Sequence, residues 1–345
     1  MQWKKWAPYS IFVASAFAVW VPFSGAARGQ QAPAVGQPTP VSQQKKDAKP
    51  GQSTAPAQPS PPDAELKLRV DTNLVQIPVA VTDSLNRFVL GLQKEDFHIL
   101  EDGVEQNVAH FSGEDAPLSV GLVFDESGSM DEKMRTSQAA VSHFLKTMDA
   151  DDEVFLVEFG NSARLSVGLT THTEEIEAAL KKVQPGGLTA MLDAIHTALT
   201  EMKKAKNSRK AIVIISDGGD NHSQYKPAEI ESLVREADVQ IYAMGIFEAV
   251  LTFGLPEEQI SGPKLLSEIA TQTGGRAFAA ALASDLPSVA ARIAVELRNQ
   301  YVVGYYPKNQ TTDGKYRNVE VKLTQPPGVS PLKAHWRLGY YAPTQ

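Results

Sequence analysis

Five oxygen-bearing side chains stand out by type and spacing. Asp125, Ser127 and Ser129 fall in the stretch Asp125-Glu126-Ser127-Gly128-Ser129, Thr189 follows Pro185-Gly186-Gly187-Leu188, and Asp217 follows Ser216 and precedes Gly218-Gly219. Two hydroxyls two residues apart on a tight loop, a third hydroxyl and two carboxylates make an all-oxygen donor set. Hard divalent cations, Mg²⁺, Mn²⁺ or Ca²⁺, take such donors, and Mg²⁺ commonly keeps open positions for water or a partner's group. Without an ion, the two carboxylates repel each other. Gly128 lets the first loop turn sharply enough for Ser127 and Ser129 to face one point. A plainer reading applies to each segment alone: Asp and Ser before a helix are ordinary caps, and Asp-Gly after a strand is an ordinary turn. Their joint occurrence, with Thr189 between them in chain order, favours the metal site.

Those residues need elements to position them. Between about residues 117 and 299 short apolar runs alternate with amphipathic stretches, the pattern of a doubly wound α/β domain whose mostly parallel sheet is covered on both faces. Strands are expected at residues 119–124, 154–159, 164–167, 211–215, 240–245 and 276–278, and helices at 132–148, 174–183, 190–204, 227–237, 263–273 and 286–298. Ligands in such sheets bind beyond the carboxyl ends of the strands. Asp125 and Asp217 each follow a strand there, and Thr189 precedes a helix.

With that placement, Asp125-x-Ser127-x-Ser129, Thr189 and Asp217-Gly218 resemble the metal-ion-dependent adhesion site (MIDAS) of von Willebrand factor type A (VWA) domains. The resemblance spans about residues 118–299. The flanking phrases Gln300-Tyr301-Val302-Val303-Gly304-Tyr305-Tyr306-Pro307 and residues 104–111 further resemble the acidobacterial-type VWFA-related exported proteins. This likeness implies that Ser127, Ser129 and Thr189 hold the ion, that Asp125 and Asp217 bind it directly or through water, and that a carboxylate from a protein partner completes its shell. Glu126 departs from the small or apolar residue common at its position and adds charge to the rim.

The segments on either side read as β-structure. Residues 75–82 alternate apolar and polar with period two, and Pro78 suggests an edge strand. Residues 97–100 and 104–111 read as two strands around Glu101-Asp102-Gly103, and 300–306, 317–323 and 334–341 as three more. One β-sandwich built from residues 66–116 and 300–345, and interrupted by the VWA-like domain, is the expected arrangement; separate terminal modules are the alternative. The aromatic residues of the last stretch read as strand packing rather than as a carbohydrate platform.

Lys4 and Lys5 precede an apolar run at residues 11–21 and the small residues Ser24, Gly25, Ala26 and Ala27, the order of a signal peptide over residues 1–27. The run is too short to span a bilayer, so no membrane span is expected after cleavage. Residues 28–65 hold eight prolines and no aromatic residue, the composition of a disordered linker. The chain of 345 residues has 42% hydrophobic and 21% charged residues, enough to bury a core in about two domains. It has no cysteine, which removes disulfides, thiol catalysis and cysteine-based metal sites. Its net charge of −7 argues against nucleic acid as a partner.

Other chemistry finds few parts. No G-x-x-x-x-G-K-[ST] loop, G-x-S-x-G elbow or H-E-x-x-H pair occurs. A phosphotransferase with an aspartate nucleophile at Asp125 would normally carry a second aspartate where Ser127 stands. Residues 149–153 lack the spacing of an EF-hand, and Asp220, Asn221 and His222 read as solvated loop. The expected function is therefore not enzymatic: an exported module, in the periplasm, envelope or medium, that captures a protein ligand through a divalent ion. A structural or assembly component of the cell envelope, in which the ion only stabilises loops, is the alternative.

Overall fold

A computed structural model describes residues 74–113, 115–217, 219–246, 257–280, 282–325 and 330–344. The expected signal segment and linker lie outside the described residues.

Four strands come first: β1 (Val75–Thr82), β2 (Phe97–Glu101), β3 (Val104–Gln106) and β4 (Val108–Ser112). The α/β stretch follows as β5 (Leu118–Asp125), α1 (Met134–Leu145), β6 (Glu153–Phe159), β7 (Ala163–Thr170), α2 (Thr173–Leu180) and α3 (Met191–Met202). It continues through β8 (Arg209–Ser216), α4 (Pro227–Glu236), β9 (Gln240–Ile246), α5 (Glu257–Gln272), β10 (Ala277–Ala280) and α6 (Leu286–Arg298). Four strands close the chain: β11 (Tyr301–Tyr305), β12 (Tyr316–Leu323), β13 (Lys333–Trp336) and β14 (Gly339–Tyr341).

The central sheet has the order β10-β9-β8-β5-β6-β7, parallel except for the antiparallel edge strand β7. The middles of its central strands are apolar because both faces are covered. In β8, Ala211, Val213 and Ile215 face the layer that contains α1 and α6, while Ile212 and Ile214 face the layer that contains α3, α4 and α5. The doubly wound α/β fold expected from the pattern is therefore present. Pro263 lies inside α5 instead of opening it, since the helix starts at Glu257 and forgoes the one N–H that proline lacks.

Beside it, two four-stranded sheets have the orders β13-β1-β11-β4 and β14-β12-β2-β3, with antiparallel pairing throughout. Each combines strands from before and after the α/β stretch, and Ile77, Val79, Ile99, Val303, Tyr305 and Val321 share the core between them. The β2–β3 turn holds Asp102 at φ 48° and Gly103 at φ 80°, the positive values that a tight hairpin needs.

Three expectations change here. Residues 104–111 form two strands, not one: β3 pairs with β2, and the chain crosses at Asn107 so that β4 pairs with β11 in the other sheet. Residues 334–341 break likewise into β13 and β14. Between them Arg337 bridges to Thr273, and the Leu338 N–H donates to the Gln272 carbonyl at 3.3 Å, which draws the chain onto the end of α5. Gly274, at φ 79°, permits this contact, because a Cβ there would lie 2.4 Å from the Arg337 nitrogen. Finally, Pro78 lies in an interior strand. The neighbour β13 pairs only with Val79–Thr82, so one flank of β1 is open at Pro78 and no ladder bond is lost there.

Candidate metal centre

The site forms at the carboxyl ends of β5 and β8, which are hydrogen-bonded neighbours at the middle of the sheet. Asp125 ends β5 and is fully buried. Its Oδ1 accepts the Ser127 N–H at 2.8 Å and its Oδ2 accepts the Ser216 hydroxyl at 2.6 Å. Burial pushes its pKa up to about 6 against the pull of those hydrogen bonds, and the charge of Asp217 adds to the rise.

From Asp125 the chain turns so that the Ser127 and Ser129 hydroxyls stand 3.1 Å apart. The Ser129 hydroxyl donates to Asp217 Oδ1 at 2.9 Å. On its other oxygen, Oδ2, Asp217 accepts the ammonium of Lys133 at 2.8 Å. That pair is largely enclosed, with side-chain exposures of 21% for Lys133 and 7% for Asp217.

Thr189, almost fully buried, joins the cluster through its backbone. Its N–H donates to Asn221 Oδ1 at 2.9 Å, and its carbonyl accepts the N–H groups of Asn221 and His222. The loop before it is tied to the first loop twice: Gly128 donates to the Gly187 carbonyl at 3.2 Å, and Gly186 donates to the Glu126 carbonyl at 2.8 Å. Gly187 has φ 81°, and a Cβ there would lie 2.6 Å from Asn161 Oδ1, the atom that accepts the Leu188 N–H. A further bond, from Ala190 N–H to the Gly160 carbonyl, closes the group of loops.

All five expected residues thus gather at one end of the sheet. Asp125, Ser127, Ser129 and Asp217 are linked through their side chains, and Thr189 through its loop. Sequence reasoning missed Lys133, Ser216 and Asn161. It also read Asp220 and Asn221 as solvated; instead Asn221 holds Thr189, and Asp220 Oδ1 accepts the Leu192 N–H at 3.2 Å. Glu126, expected at the rim, instead faces β6 and β7, 4.0 Å from Arg164, and burial and the neighbouring Glu158 raise its pKa.

The donor set fits a small hard cation. An octahedron of oxygens at about 2.1 Å from Mg²⁺ has edges of about 3.0 Å, close to the separations between the two serine hydroxyls and between Ser129 and Asp217. Among the described residues, no group of three or more His, Cys, Asp or Glu side chains is placed to hold a metal. The two carboxylates and three hydroxyls here suit Mg²⁺ better than the softer transition metals.

Residues 120–219, which run from β5 past Asp217, match the von Willebrand factor type A domain family. This segment is a VWA domain. An uncharacterized protein of Borreliella burgdorferi is 25% identical over 181 residues, covering 46% of this chain and 53% of that protein. Inter-alpha-trypsin inhibitor heavy chain H3 of Bos taurus is 30% identical over 134 residues, 35% of this chain and 15% of that one. The chain therefore spans about half or less of the length of these relatives. Among solved structures, the PilB minor pilin from Streptococcus sanguinis aligns with a TM-score of 0.43 and 15% identity, over 54% of this chain and 62% of that one.

Proposed function

We propose that the VWA domain captures a protein ligand through a divalent ion, Mg²⁺ by preference, held by Ser127, Ser129 and Thr189 with Asp125 and Asp217 bound directly or through water. The observation that carries this reading is the chain of contacts Ser127–Ser129–Asp217, spaced like the edges of a magnesium octahedron beyond the carboxyl ends of β5 and β8. The bound ion would supply a Lewis-acidic, coordinatively open point.

The chain's own residues set what that point attracts. Hydroxyl donors carry no charge, the two carboxylates offset the ion, and Lys133 leaves a surplus of positive charge. A carboxylate from a partner is the group such a site favours. Buried Asp125 orients the first loop through the Ser127 N–H and Ser216.

We further place the protein outside the cytoplasm, on the signal-like order of residues 1–27 and the linker-like composition of residues 28–65. Among the described residues no helix is long and apolar enough to cross a membrane. No catalytic role is assigned to the chain. The alternative of an envelope component whose ion only stabilises loops has less support, because the Lys133–Asp217 pair and the backbone bonds of Gly128, Gly186 and Ala190 already tie the loops together.

The test is capture of envelope and culture proteins by the immobilised full chain in Mg²⁺ or in EDTA, repeated with Ser129→Ala. A ligand retained only by the wild type in Mg²⁺ supports the reading. One retained equally under all three conditions contradicts it.

A further inference from the structure

At the opposite end of the VWA sheet, where β8 and β9 begin, a cleft of about 190 Å³ separates the domain from the sheet that contains β1, β4 and β11. Its ionisable lining is lopsided. Arg209 and Lys210 come from the start of β8, His110 from β4 and Arg337 from the β13–β14 link, against one carboxylate, Asp238, among the described residues. Asp238 is already bonded to Arg337 at 2.8 Å and has 77% of its side chain exposed.

Arg209 is the unusual member. Its side chain is only 8% exposed. Nη1 reaches Asp115 Oδ1 at 3.2 Å and the Ala116 carbonyl at 3.4 Å, and Nη2 donates to the Leu297 carbonyl. Asp115 is half exposed and is shared with Arg298 at 3.5 Å. The Nε–H of Arg209 is buried with no acceptor among the described residues. Lys210, the next residue of β8, is half-buried, also lines the cleft and has no carboxylate within ion-pair distance among the described residues. A buried guanidinium N–H left without an acceptor, in a cleft that the ammonium-bearing Lys210 also lines, makes this a place where an anion is favoured.

We infer that this cleft binds a small oxyanion, a phosphate or a carboxylate, between Arg209 and Lys210 of the VWA domain and His110 and Arg337 of the flanking sheets. Bound there, the anion neutralises cations contributed from both sides and holds the two parts of the chain in register. The site is independent of the candidate metal centre, which lies at the other ends of the same strands.

The experiment uses the full chain stripped of metal by chelation and then dialysed, so that an anion on a metal ion does not register. Sodium phosphate and sodium malonate are titrated separately by calorimetry, with thermal unfolding followed in parallel against sodium chloride of matched ionic strength. One-site binding and a rise in Tm beyond that in chloride are expected. Phosphate alone marks a tetrahedral anion as the ligand, and malonate alone a carboxylate. Lys210→Gln and His110→Gln, neither of which removes a side-chain bond to another described residue, are each expected to weaken binding, Lys210→Gln by about ten-fold. The inference is overturned if neither anion exceeds chloride, or if Lys210→Gln binds as tightly as the wild type.

Discussion

The ammonium of Lys133 lies 2.8 Å from Asp217 Oδ2, while Ser129 occupies the other oxygen of the same carboxylate. Asp217 is therefore neutralised by the chain's own cation at the place where a divalent ion would draw on it. Lys133 follows Asp125 by eight residues, in the turn that leads into α1, so the loop that carries the hydroxyl donors also carries this charge.

Removing Lys133 should separate its two effects. Lys133→Met leaves a largely buried carboxylate without its partner, so unfolding in urea and EDTA should show a loss of about 1–2 kcal/mol. The same change removes a positive charge beside the ion, so Mg²⁺ should bind about ten-fold more tightly by calorimetry. Weaker Mg²⁺ binding would mean that Lys133 supports the ion instead of competing with it.

Gly187 makes the geometry of the Thr189 loop testable. Alanine there must adopt φ near 81° with its Cβ against Asn161. Gly187→Ala should cost about 1–3 kcal/mol in urea unfolding and weaken Mg²⁺ binding as the loop shifts. Adding Asn161→Ala relieves the clash but not the backbone strain, so recovery should be partial. Full stability of the single variant would show that the loop does not need this conformation.

His335 gives the flanking sheets a pH signature. Burial, helped by the charges of Arg276 and Lys333, lowers its pKa from 6.5 to about 4. The unfolded chain takes up the proton first as pH falls, so the stability from this group is complete above pH 6.5 and is lost as pH drops through about 4. Asp125 works the other way: raised from 3.8 to about 6, it favours the fold at low pH and loses that contribution as pH rises through 6. The informative quantity is the difference between wild type and His335→Gln, measured in EDTA from pH 4 to 7. The wild type should lose more stability on acidification, and parallel curves would rule out the assignment to His335.

Much of this was legible in the sequence, for local reasons. Asp125, Ser127 and Ser129 are close neighbours in the chain, and the expected strands put Asp125 and Asp217 at the same end of the sheet. The apolar runs of β5 and β8 announce a sheet covered on both faces. What escaped was set by partners far along the chain. Glu105-Gln106-Asn107 holds no proline or glycine to mark a break, and the alternation runs on through Arg337-Leu338, although the strands there change sheets, and only contact with β11 or with the end of α5 decides that. Lys133 carries no mark in the sequence, because nothing in its neighbours says that Asp217, 84 residues away, receives its ammonium. Asn221 likewise acquires its role only through the backbone of Thr189.

Calorimetric titration of Mg²⁺ into the chelator-stripped full chain tests the central claim most directly, with Ser127→Ala/Ser129→Ala as the comparison. One bound ion per chain in the wild type, and none in the double variant at the same concentrations, is the predicted result. Equal binding by both proteins, or no heat in either, would contradict a metal centre built on these hydroxyls.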